Sequence, residues 1–225
     1  ACGDFGGLIC PVAKTVSDDL TLKDVSSSSN YTWYNYIKPV KTAEIVNYLK
    51  NAADSGQQIF YNIYTEEEMQ ADSSLRDTGL FFFKGEDNAK FAVCNAGGGF
   101  AYVGAMHDSF PHALELSKMG YNALALIYRP DAPYDDLARA IEFIHDNADT
   151  LKVDPNDYSL WGGSAGARMA AMLGNSDYLQ QLTSRTDIGQ AGAVIMQYTG
   201  YTYTSKADAP TYVCVGTSDG IANWK

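Results

Sequence analysis

Five residues constrain this chain more than any others: Gly162-Gly163-Ser164-Ala165-Gly166, a fit to G-x-S-x-G. They lie between a run that reads as a strand, residues 157–161, and a run rich in Ala and Met that reads as a helix, residues 165–173. A chain that passes directly from strand to helix makes a turn too sharp for Cβ atoms on either side of its central residue, which accounts for the glycines. Such a turn lifts the serine hydroxyl above the sheet edge. It also sets it at a helix N-terminus, where free amides and the helix dipole favour negative charge. A glycine-rich turn with an incidental serine fits the same letters. The strand before it and the helix after it favour a nucleophile, Ser164.

A second glycine cluster, Ala96-Gly97-Gly98-Gly99-Phe100, follows another apolar strand-like run at residues 90–95. Consecutive glycines let the backbone approach a ligand and aim its N–H groups at it. An acyl-transfer site needs such donors for the oxyanion of its tetrahedral intermediate. A phosphate cradle is the competing use, but neither G-x-G-x-x-G nor a Walker pattern is present there.

The pattern around these motifs is an alternation. Residues 42–55 read as a helix, with Ile45, Tyr48, Leu49 and Ala52 at helical spacing and Gly56 as a stop. Strands are predicted at 57–64, 80–84, 90–95, 122–128, 191–198 and 211–216, and helices at 110–119 and 134–151. Strand and helix alternating in this way predict an α/β fold with a mostly parallel sheet covered on both faces. Glu66-Glu67-Glu68, with Asp72 beyond, reads as a solvated loop. Residues 1–40 read as irregular, with a serine run at Ser26 to Ser29 and the triplet Asn30-Tyr31-Thr32 that fits a glycosylation acceptor. The predicted organisation is one domain: an N-terminal irregular segment plus helix over 1–56, then the α/β core over 57–225.

With 225 residues and 46% hydrophobic content the chain can bury one sizeable core. A formal charge of −11 repels phosphate backbones and anionic lipid surfaces, which argues against nucleic acid as a partner. No apolar run is long enough to cross a bilayer. The start, Ala1-Cys2-Gly3-Asp4, shows no basic or apolar signal region. A processed secreted protein or lipoprotein would begin in the same way, so the compartment stays open. Cys94 and Cys214 sit in apolar runs and are expected to be buried free thiols, while Cys2 and Cys10 are close enough to pair under oxidising conditions. No C-x-x-C spacing occurs, and no metal or cofactor is implied.

The two glycine motifs, in this order, carry a resemblance. So do Asp154-Pro155 before the nucleophile strand, Trp161 before the elbow and Tyr128-Arg129 at the end of the earlier strand. The chain resembles the hormone-sensitive-lipase-like branch of the α/β-hydrolases, and within it bacterial carbohydrate esterases of the acetyl-xylan and feruloyl type, over residues 57–225. The resemblance implies a serine esterase with oxyanion donors at the amides of Gly98, Gly99 and Ala165. It also implies a triad acid on the loop after the last strand, where Gly216-Thr217-Ser218-Asp219-Gly220 offers Asp219. One departure is Ala96, where lipases of this branch carry His and sugar esterases often Pro. A second is larger. The order Ser…Asp…His calls for a histidine after Asp219, and none of His107, His112 and His145 holds that place. His107 could approach the site through the glycine loop, and His145 reads as a surface residue. The resemblance therefore implies a base from outside this stretch, on a C-terminal continuation with a last strand and helix or on a second chain.

The substrate expected is a small neutral ester with a short acyl group, since no lid rich in large aliphatics is apparent. Phe100 and Tyr198 are candidate substrate contacts, and Tyr201 and Tyr203 follow the same predicted strand. The competing readings are a hydrolase fold turned to binding, on account of the missing base, and a serine peptidase of the same fold.

Overall fold

The computed structural model describes residues 39–222. Helix α1 (Pro39–Asp54) leads to strand β1 (Phe60–Asn62), helix α2 (Glu66–Ala71) and strand β2 (Gly79–Phe83). From there the order is β3 (Ala89–Asn95), α3 (Ser109–Lys118), β4 (Asn122–Ile127), α4 (Pro133–Asp146), the one-turn α5 (Ala148–Leu151) and β5 (Val153–Gly163). Helices α6 (Ala165–Leu173) and α7 (Ser176–Thr183) follow, then β6 (Ala193–Gln197) and β7 (Thr211–Cys214).

The strands form one sheet in the order β1-β2-β4-β3-β5-β6-β7. β2 runs antiparallel to both β1 and β4, and every other pair is parallel. All residues of β2 and β4 are buried, which is why their sequences are continuous apolar runs rather than alternations. Helix α4 closes one face through Leu137, Ile141 and Ile144, none of them exposed, at the spacing of a helical stripe. Ile45 and Leu49 of α1 join the same core cluster.

Several elements depart from the sequence expectations. The acidic run is not a loop: Glu66–Ala71 is helix α2. Thr65 accepts from the Glu68 amide and Glu68 returns a bond to the Thr65 amide, a capping box in which three carboxylates also sit at the favourable end of the dipole. Glu68 then pairs with Arg139 at 2.8 Å. The helix predicted over 134–151 breaks at Asn147, and β5 begins four residues earlier than predicted, through a register shift beside Lys90 and Ala92. Cys94 is buried, and burial raises its thiol well above the usual range, but Cys214 is exposed. Its apolar run forms the edge strand β7, exposed along its whole length. His145 is half-buried, its ring edge-on to Phe91 and Tyr158. Cys2, Cys10, the serine run and the Asn30-Tyr31-Thr32 triplet lie outside the described residues.

Candidate active site

The chain leaves β3 for β4 on one side and returns to β5 on the other, so β3 and β5 flank the point where the winding reverses. In open parallel sheets a crevice forms there, beyond the C-terminal ends of the strands. Both glycine motifs sit at that point. Asn95 at the end of β3 pairs with Gly162 near the end of β5.

Ser164 has φ 51° and ψ −115°, a conformation that costs a non-glycine residue about 1–3 kcal/mol and persists only where its surroundings over-determine it. Two hydrogen bonds do so: the Ser164 amide donates to Gln197 O at 2.9 Å, and its carbonyl accepts from the Arg168 amide at 3.2 Å. A Cβ on Gly162 would overlap the Gly166 carbonyl, and one on Gly166 would overlap the carbonyl of Asn95. The elbow is thus packed backbone against backbone.

The glycine loop is packed just as closely. Gly98 lies at φ +144°, and a Cβ there would run into the Tyr102 carbonyl; Gly99 lies at φ +61°. A Cβ on Gly97 would stand 3.0 Å from the Ser164 Cβ, so the loop and the elbow touch. Ala96 is fully buried, and its carbonyl accepts from Tyr128 Oη at 2.8 Å. Among the described residues no carbonyl or side chain accepts from the amides of Gly98, Gly99 or Ala165. The Ala165 amide opens a helix and has no intrahelical partner by geometry.

Sequence reasoning missed Asp108. This carboxylate is 3% exposed and takes the Gly97 amide on Oδ2 at 2.6 Å. It also receives the Tyr198 hydroxyl, whose pKa is raised first by burial and then by the Asp108 charge. One buried anion therefore ties the glycine loop after β3 to the chain after β6. Tyr198 itself has φ 39° and is 41% exposed as a residue, with its hydroxyl set against Gly163. Nothing in a lone aspartate eleven residues past Gly97 announces this role.

Ser164 opens onto a cleft of about 440 Å³. Gly99, Phe100, Ala165, Arg168 and Tyr198 line it, with residues 199–203 and Ile221. Phe100, at φ 56°, packs against Tyr128 and Tyr134. The sequence-predicted Ser164, Gly99, Ala165, Phe100 and Tyr198 are thus brought together. Asp219 does not line the cleft; it sits on the loop after β7, two residues before Ile221, which does. Its Oδ1 accepts the amides of Ile221 and Ala222 at 2.8 and 2.9 Å, which hold its pKa below the usual carboxylate range. The histidines stand elsewhere. His112 and His145 turn Nδ1 to carbonyls of their own helical stretches, Asp108 O and Ile141 O. His107 packs against Gly104 beneath the glycine loop, and burial lowers its pKa.

A mixed, mostly parallel sheet with a strand-to-helix elbow at its switch point is the α/β-hydrolase fold. The BD-FAE family model matches residues 84–194, a stretch that holds the glycine loop, Asp108 and the elbow. Among solved structures, a propionate-bound thermophilic esterase, Est2, from Thermogutta terrifontis aligns with TM-score 0.52 and 22% identity over 63% of this chain and 54% of that one. An acetyl ester-xyloside bifunctional hydrolase from Caldicellulosiruptor lactoaceticus aligns with TM-score 0.51 and 21% identity over 63% and 57%. Est2 phosphorylated by paraoxon aligns with TM-score 0.52 and 19% identity over 68% and 62%. The chain thus spans little more than half the length of the first of these structures. No curated protein matches it.

Proposed function

We propose that this protein hydrolyses carboxylic esters with short acyl groups, carbohydrate esters among them, through an acyl-enzyme on Ser164. The observation that carries the reading is the strained, backbone-locked Ser164 beside free amides at Gly98, Gly99 and Ala165, all at one crevice. Ser164 Oγ attacks the ester carbonyl carbon as a histidine takes its proton. The carbonyl oxygen becomes an oxyanion held by the three amides. The bond to the alcohol oxygen then breaks, the histidine returns the proton to the departing alcohol, and water releases the acyl group by the same route.

Asp219 is the proposed orienting acid. The two backbone amides occupy its Oδ1, and Oδ2 is free in this scheme to take an imidazole N–H. The histidine is assigned to a part of the protein outside residues 1–225, in keeping with the share of the related folds this chain spans. Asp108 acts as a positioning residue that fixes the glycine loop through the Gly97 amide. Support for the acyl class comes from the neighbours: one is described as an acetyl ester-xyloside hydrolase and another is bound to propionate.

The test is turnover of p-nitrophenyl acetate by the full-length protein. Ser164→Ala is expected to lose about three orders of magnitude or more in rate. Equal rates in the two proteins would refute the assignment of Ser164.

A further inference from the structure

We propose that Arg168 selects esters that carry a carboxylate a few bonds from the scissile carbonyl. The proposal deepens the esterase reading and rests on it for the ester, but not for the anion.

Arg168 stands four residues after Ser164 in the first turn of α6, on the same side of the helix, and its exposed side chain lines the cleft into which Ser164 opens. A cation in a first helical turn gains nothing from the helix dipole, so local helix stability does not explain it. Nor does an ion pair. Arg129, Arg139 and Arg185 each hold a carboxylate, whereas among the described residues Arg168 has only the ring of Tyr201, 6.0 Å from its guanidinium carbon. Stacking on that ring restricts the guanidinium while leaving its N–H edges open, the arrangement that receives a carboxylate bidentately.

The surroundings sharpen the point. The chain carries a formal charge of −11, yet among the described residues Arg168 is the one charged side chain that lines this cleft, and no carboxylate does. The remaining lining is aromatic, hydroxyl-bearing and glycine, together with Ala165 and Ile221; the hydroxyl groups of Thr202 and Tyr203 are available to polar atoms of a ligand, while Tyr201 Oη already donates to Met172 Sδ. A solitary cation in a neutral pocket of an acidic protein places an anion beside the nucleophile against the overall field. Two sources share this chemistry: a dicarboxylic acyl group with one free acid, and a sugar acid on the alcohol side.

Equilibrium binding to the full-length protein, measured by titration calorimetry, separates them with two matched pairs of ligands that lack the ester bond. N-(p-nitrophenyl)succinamic acid against N-(p-nitrophenyl)butanamide probes the acyl side. p-Nitrophenyl glucuronide against p-nitrophenyl glucoside probes the alcohol side. At least one acid is expected to bind about fivefold more tightly than its neutral partner, with the ratio falling as salt is raised. Arg168→Met collapses that ratio towards one, and Arg168→Lys, which keeps the charge and loses the fork, retains part of it. Equal binding within both pairs, or a ratio unchanged in Arg168→Met, overturns the proposal. A ratio that depends on Arg168 in a protein whose Ser164→Ala form hydrolyses esters equally well would retain the anion site and remove the esterase reading.

Discussion

The rim of the sheet around β3 and β5 and the rim beyond β7 are built on opposite principles. At β3 and β5, backbone meets backbone: Gly162 against Gly166, Gly166 against Asn95, Gly98 against Tyr102, with a buried carboxylate, Asp108, closing the gap. At β7 the strand is exposed on both faces, Tyr212 by 62% and Val213 by 55%, and the loop that carries Asp219 is held by that side chain's own bonds to Ile221 and Ala222. The difference is instructive. Strain at a nucleophile can be kept only where neighbours leave it no alternative, so the elbow needs its full surroundings. The loop after β7, from which an orienting acid is proposed, is held by short-range bonds of its own residues.

If the comparison holds, substitutions should lose force along this path. Gly166→Val drives a branched side chain into the Asn95 carbonyl and is expected to cost more than about 4 kcal/mol, seen as loss of a cooperative urea transition. Asp108→Ala leaves the Gly97 amide and the buried Tyr198 hydroxyl without their anion and should cost about 2–4 kcal/mol in the same measurement. A smaller cost, under about 1 kcal/mol, would show that the two loops do not depend on it.

His107 gives a pH-dependent version. Burial lowers its folded-state pKa below the usual 6.5, so between those values the unfolded chain binds the proton more readily. Its neutral form supports stability fully above 6.5, and that support is lost as pH falls from 6.5 towards the folded value. Urea midpoints measured at about pH 7.5 and about pH 5.5 should draw closer together in His107→Gln than in the parent, and an unchanged interval would exclude His107 as the cause. The smallest effect belongs to the other rim: Val213→Thr on the exposed edge should change stability by less than about 0.5 kcal/mol.

The sequence disclosed those parts of the site whose local geometry admits only one residue type. Glycines at 162, 166 and 98 are required by contacts within a few residues or across one strand pair, so their spacing is visible along the chain. Asp108 and Tyr198 meet across ninety residues of sequence, and nothing local marks either. Helix α2 carried its capping signal in Thr65 and Glu68, but the like charges of Glu66, Glu67 and Glu68 suggested solvent instead. Helix α7 has a local signal of the same kind in Asn175, which caps it by accepting from the Tyr178 amide. Cys214 shows the limit of apolar runs: the pattern predicted a strand, and whether a strand is central or at an edge is decided by the rest of the sheet.

The most direct test of the central claim is exposure of the full-length protein to paraoxon, the reagent that phosphorylates a structural neighbour, followed by intact-mass and peptide analysis. The account predicts one diethyl phosphate adduct, on Ser164, absent from Ser164→Ala. No adduct, or an adduct that survives that substitution, would contradict it.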